Sequence, residues 1–146
     1  MIEKYSPQDI AAALQKVGAK VYQPTDEQSA IISIVSNPLE PAVVIAGAGS
    51  GKTETMAARV IYLVANGFAR PDQILGLTFT RKAAGELAIR IRTRLRQLRA
   101  AKLISEEISL EVAVTTYHSY AARLLAEHSI RFGIDADTVP MGDAAM

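Results

Sequence analysis

The run Ala46-Gly47-Ala48-Gly49-Ser50-Gly51-Lys52-Thr53 constrains this chain more than any other feature. It follows four apolar residues, Ala42-Val43-Val44-Ile45, and leads into a helical pattern over residues 54–66. Strand, Gly-rich loop and helix in that order form the context in which such a loop holds the phosphates of a nucleoside triphosphate. Small residues let successive N–H groups converge on anionic oxygens. The helix start adds orphan N–H donors and partial positive charge. In this pattern Lys52 reaches the terminal phosphates and the Thr53 hydroxyl binds magnesium. These two are the candidate catalytic residues, and Thr53 is the candidate metal ligand. The strict pattern has Gly where this chain has Ala46.

The rest of the chain reads as alternating elements. A helix is predicted over residues 7–17, with Ser6 as N-cap and Pro7 in the first position. A second starts after Thr25, in the capping pattern Thr25-Asp26-Glu27-Gln28, and runs to about Ser36 before Asn37-Pro38. Residues 42–46 and 74–80 read as buried strands, and residues 112–115 as a third. A helix over 54–66 closes at Asn66-Gly67, and Arg70-Pro71-Asp72 is a turn. A long helix over about 82–102 carries Ala83, Ala84, Leu87, Ile91, Leu95 and Leu98 on one stripe. Residues 117–128 form the last helix. The alternation predicts an α/β fold: a parallel sheet with helices on its faces and ligands at the carboxyl ends of the strands.

Composition narrows the class. At 146 residues, 49% hydrophobic and 21% charged, the chain has the size and make-up of one globular domain. It has no cysteine, hence no disulfide or thiolate metal site. No apolar run is long enough to span a membrane and the first residues lack a signal-peptide pattern, so the expected location is the cytoplasm. The net charge of +1 hides an asymmetry: residues 81–102 hold eight Lys/Arg against one acid, Glu86, leaving a net −6 elsewhere. Local excess of this kind steers a polyanion to one face.

Three further segments look chemical. In Tyr22-Gln23-Pro24-Thr25-Asp26-Glu27-Gln28, the Gln28 amide could donate to and accept from a base edge at once. In Thr78-Phe79-Thr80-Arg81-Lys82, the ring could stack on a base while hydroxyls and cations hold phosphates. Composition alone favours core packing for Phe79. In Thr115-Thr116-Tyr117-His118, a strand end meets two ring side chains, and the plain alternative is a helix cap with half-buried aromatics. Neither His118 nor His128 has partners at metal-ligand spacing, and His128 suits a helix C-terminus.

Taken together, these segments resemble the N-terminal motor domain of UvrD/Rep-type superfamily 1 DNA helicases. Residues 25–28 resemble that family's Q motif, and residues 46–53 its motif I, where Ala in place of the first Gly is usual. Thr78-Phe79-Thr80-Arg81-Lys82-Ala83-Ala84, followed by Glu86-Leu87 and Arg90, resembles motif Ia. Thr116-Tyr117-His118 resembles motif Ib. Arg81 stands where the family has Asn, Leu87 where it has Met, and Tyr117 where it has Phe.

The resemblance covers about residues 22–128 and implies a RecA-like P-loop NTPase domain of three layers, here truncated. Residues 22–132 would be a partial motor core, residues 1–21 an N-terminal helical segment, and residues 133–146 an irregular tail at a truncation point. The implied activity is ATP-dependent 3′ to 5′ translocation on single-stranded DNA, in repair, recombination or replication. ATP and Mg²⁺ would be held by Gln23, Gln28, Ala46, Gly47, Ala48, Gly49, Ser50, Gly51, Lys52, Thr53 and Glu54. DNA would be held by Thr78, Phe79, Thr80, Arg81, Thr116, Tyr117 and His118.

Hydrolysis also needs an acidic pair at a strand end. Asp26-Glu27 precedes the loop and follows no strand, and Glu106-Glu107 follows only a weak apolar run. The chain alone therefore reads as a binding segment without turnover. The alternatives are a non-catalytic nucleotide- or DNA-binding module and a P-loop kinase.

Overall fold

The computed structural model describes residues 3–34 and 41–133. Helix α1 spans Pro7–Lys16 and α2 spans Asp26–Ile32. Both start in reciprocal capping boxes: Ser6 with Asp9, and Thr25 with Gln28. Each box satisfies two orphan donors, which is why these short segments hold helical form. Helix α3, Lys52–Ala65, begins directly at the Gly-rich loop with Gly51 as N-cap. A 3₁₀ turn at Pro71–Gln73 leads to strand β1, Leu75–Thr78. Helix α4, Arg81–Ala100, returns the chain to β2, Ala113–Thr116. Helices α5, Tyr117–Glu127, and α6, Ser129–Phe132, follow.

β1 and β2 pair in parallel, Leu75 opposite Ala113 through Thr78 opposite Thr116. The crossover between them is α4. Its stripe Ala84, Leu87, Ile91, Leu95 and Leu98 is buried, while Ala83 is exposed. It packs on Ala57, Ile61, Tyr62 and Val64 of α3, with Ile10 and Leu14 of α1 closing the same core. Burying one Leu or Ile side chain is worth about 1.5–3 kcal/mol, so this seam anchors the fold. Asn66, 4% exposed, ties the N-terminal segment to α3. Its Oδ1 accepts from the N–H groups of Lys4 and Tyr5 at 2.7 and 2.9 Å. Its Nδ2 donates to Tyr5 O and Tyr62 O, each at 3.0 Å. Ile10, Leu14 and Ala19 thus belong to the same core as α3 and α4.

Several boundaries differ from the sequence reading. Residues 42–46 are not a strand, and Val43 and Ile45 are 87% and 95% exposed. An apolar β-branched run becomes a strand only where a neighbour completes its ladder. Among the described residues only β1 and β2 pair, so the sheet has two strands where three were expected. β1 is half-buried and stops at Thr78, because Thr80 turns its hydroxyl back to cap α4. α2 stops at Ile32, short of the expected Ser36. The Arg59 guanidinium of α3 takes the Ile31 and Ile32 carbonyls, both at 3.1 Å. The rest of that stretch, residues 35–40, and the predicted tail beyond Gly133 lie outside the described residues.

Candidate functional site

The Gly-rich loop turns through two left-handed glycines, Gly49 (φ 76°) and Gly51 (φ 79°). A side chain at either position would be strained. Ser50 Oγ donates to Gly47 O at 2.8 Å, and Lys52 Nζ donates to Gly47 O at 2.6 Å and to Ala46 O at 3.3 Å. The ammonium thus rests on the loop's own carbonyls, at the start of α3. Gly47, Ala48, Ser50 and Thr53 are solvent-exposed and Ala46 is half-buried.

Gln28 is tied to this loop. Its Oε1 accepts the Thr25 N–H at 3.1 Å, and its Nε2 donates to Ser50 O at 3.4 Å. The amide foreseen as a base reader is therefore engaged locally, joining the α2 cap to the loop. Beside it lies a cavity of about 200 Å³ lined by Tyr22, Gln23, Pro24, Gln28 and Gly51 on one side and by Ile10, Leu14 and Ile61 below. Glu54 lines the same cavity. Its carboxylate pairs with Arg90, and with Arg94 Nη2 at 3.2 Å, both on α4. The Glu54 carboxylate is thus paired with two cations of a neighbouring helix.

The strand ends form a second surface. Because Thr78 lies opposite Thr116 in the ladder, Phe79 and Tyr117 emerge side by side. Their ring centroids are 5.2 Å apart, tilted by 38°. Phe79 is 85% exposed and Tyr117 48%, so Phe79 is not a core residue. The Thr80 hydroxyl caps α4, accepting from Ala83 N at 3.1 Å, and keeps its own proton available. Thr78 Oγ1 donates to Thr80 O at 3.1 Å. Thr116 is buried and its hydroxyl is spent, accepting from Ser119 N at 3.1 Å and donating to Ser119 Oγ at 2.9 Å. Thr116 therefore shapes this corner as the α5 cap. Arg81, Lys82 and His118 are exposed at the two helix starts.

The fold pairs four of the eight cations of the basic stripe. Arg90 and Arg94 meet Glu54, Arg92 meets Glu111 at 3.3 Å, and Arg99 approaches Glu106 at 3.3 Å. Arg81 and Lys82 make no ion pair among the described residues. They sit at the positive end of α4, where a cation is disfavoured and an anion welcome. No acid occupies the first turn of α4 or α5, in contrast to α1, α2 and α3.

No group of three or more His, Asp or Glu among the described residues could hold a metal. Thr53 offers one hydroxyl, which fits a magnesium ion that arrives with its phosphates and keeps most of its waters. Asp26 and Glu27 occupy the first turn of α2, and Glu106 is drawn to Arg99, so neither acidic pair stands at a strand end. The sequence reading missed Asn66, Arg59, and the Arg90 and Arg94 partners of Glu54. All act across elements, and only the asparagine after a helix had a local signal.

The fold and site define a mixed helix-and-strand segment with a parallel sheet and a Gly-Lys-Thr loop heading a helix. A family profile for the UvrD/REP helicase N-terminal domain matches residues 25–141, and the chain belongs to that family. It is 37% identical over 94 residues to the ATP-dependent DNA helicase PcrA of Leuconostoc citreum, covering 64% of this chain and 11% of that protein. It is 43% identical over 88 residues to the ATP-dependent DNA helicase UvrD2 of Mycobacterium tuberculosis (strain ATCC 25618 / H37Rv), covering 60% of this chain and 12% of that protein. With PcrA of Staphylococcus epidermidis (strain ATCC 12228 / FDA PCI 1200) it shares 34% identity over 119 residues, covering 82% of this chain and 14% of that protein. The aligned part thus spans only 11–14% of these relatives. Among the described residues no helix is long and apolar enough to cross a membrane.

Proposed function

We propose that this chain is the nucleotide-binding front of an ATP-dependent DNA helicase, a RecA-like P-loop domain working 3′ to 5′ on single-stranded DNA in the cytoplasm. Residues 22–132 would form its core, with α1 built into it. The observation that carries the reading is the juxtaposition of two surfaces on one frame. The Gly-Lys-Thr loop heads α3, α3 packs along α4, and α4 starts at the exposed Phe79–Tyr117 pair. A ring pair beside unpaired Arg81 and Lys82 offers stacking and charge together, which suits a nucleic-acid strand. A kinase acceptor pocket would call for buried polar groups there instead.

Lys52 would exchange its Gly47 and Ala46 carbonyls for phosphate oxygens, and Thr53 would meet the magnesium. The metal would neutralise charge on the phosphates. The loop N–H groups would cradle them, and the cavity beside Gln23 and Gln28 would take the base. Phe79, Tyr117, Thr80, Arg81, Lys82 and His118 would line the strand path, with Thr78 and Thr116 shaping it. The pathway served would be DNA repair, recombination or replication.

The test is separation of the two sites in the intact protein. Lys52→Ala should abolish binding of a fluorescent ATP analogue and leave binding of an oligothymidine nearly unchanged; equal loss of both would sink the reading. For the 146 residues alone, the positions of Asp26, Glu27 and Glu106 favour binding without turnover. DNA-stimulated phosphate release by that segment, abolished by Lys52→Ala, would refute this.

A further inference from the structure

We infer that Arg90 and Arg94 are positioning residues for nucleotide binding: they fix the Glu54 carboxylate against α4 and cancel its charge. The inference rests on the nucleotide reading above.

Glu54 is the third residue of α3, directly after Lys52 and Thr53. A carboxylate in a first helical turn suits an empty helix N-terminus, because the exposed N–H groups there are partially positive. The same carboxylate opposes an anion that comes to those N–H groups. A first turn that must accept a triphosphate is thus a costly place for an acid unless its charge is compensated.

The compensation is built across the α3–α4 seam. One oxygen of Glu54 meets Arg90 Nη1, and the other meets Arg94 Nη2 at 3.2 Å. Arg90 and Arg94 are four apart, so both rise from one face of α4. Arg94 is held by more than its charge: its guanidinium also donates to Gln97 Oε1 and to Lys20 O, each at 3.0 Å. Its side chain is 15% exposed, so solvent screens it little. The cluster carries a net charge of +1, and its Glu54 and Arg94 line the same cavity as Gly51 and Gln28.

A purely mechanical strut makes a different prediction from a charge-compensating mount. If the three residues only brace α3 against α4, removing either side should weaken nucleotide equally. If they compensate charge, the acid and the bases act in opposite directions.

The experiment is equilibrium binding of a fluorescent ATP analogue to the intact protein and its variants, with melting curves for each. Glu54→Gln should tighten binding. The pair Arg90→Gln with Arg94→Gln takes the cluster from +1 to −1 and should weaken binding about tenfold for each charge removed at low salt, the scale of one charge at about 8 Å in an effective dielectric of about 20 after partial screening. Adding Glu54→Gln to that pair brings the cluster charge back from −1 to 0 and should recover about tenfold of the lost affinity. Weaker binding by Glu54→Gln alone, or no recovery in the triple variant, would overturn the inference. If the double variant fails to fold, Glu54→Gln alone decides by its direction. Lys52→Ala is the control: analogue binding that does not depend on Lys52 would remove the nucleotide reading, whereas Lys52-dependent binding indifferent to the arginines removes only this inference.

Discussion

Replacing Phe79 by Ala separates fold from function at the strand-end surface. The ring is 85% exposed, so its loss removes almost no buried area. Its one aromatic neighbour is Tyr117, at 5.2 Å between centroids, itself half exposed. Folding stability should therefore change by no more than about 0.5 kcal/mol, as for an ordinary surface position. A ring that stacks on a base contributes about 1–3 kcal/mol to single-strand binding, or about 5- to 150-fold in affinity. The assay is fluorescence anisotropy of a labelled oligothymidine against the intact protein, beside a thermal melt. Arg81→Gln in the same assay should flatten the dependence of log affinity on log salt by about 0.7, the value for one lost phosphate contact on a single strand. Two results would refute the reasoning. Destabilisation by about 2 kcal/mol or more would return Phe79 to the core. Unchanged affinity in a folded protein would remove the stacking role.

Two further outcomes follow from the frame that carries these surfaces. Asn66→Ala strands the Lys4 and Tyr5 N–H groups and the Tyr5 carbonyl, while Tyr62 O keeps the Asn66 N–H at 3.1 Å. At about 1 kcal/mol per lost hydrogen bond, chemical denaturation should show a loss of about 2–3 kcal/mol, and a loss below about 1 would contradict the staple. The Asp9 carboxylate accepts from Ser6 Oγ and Ser6 N at 2.7 and 3.0 Å, and these bonds hold its pKa below the ordinary value. A depressed folded pKa stabilises above the unfolded value of about 4, and that contribution is lost as pH falls through the folded pKa. In an NMR titration Ser6→Ala should raise the Asp9 pKa toward its ordinary value. A titration midpoint that Ser6→Ala leaves in place would break the assignment.

What could be read from the sequence was local. The capping boxes at Ser6 and Thr25 need only residues three apart, and the α4 stripe needs only helical period. The Gly-Lys-Thr loop needs only its glycines and the helix after it, and the family followed from short ordered motifs. The sequence determined these because each depends on neighbours within a turn or two. Tertiary structure decided the rest, because each remaining feature depends on a partner far along the chain. Residues 42–46 have strand composition, but a strand exists only when a second one completes its hydrogen bonds. Phe79 looked like core and is exposed, because β1 ends one residue before it, beside Tyr117. The basic stripe of α4 looked like one polyanion face, yet Glu54 from α3 and Glu106 and Glu111 from the α4–β2 connection claim four of its arginines. What remains unpaired at the start of that helix is Arg81 and Lys82, next to the rings. Charge along a sequence is a sum over residues, but the field a ligand meets is set by which charges the fold has already matched.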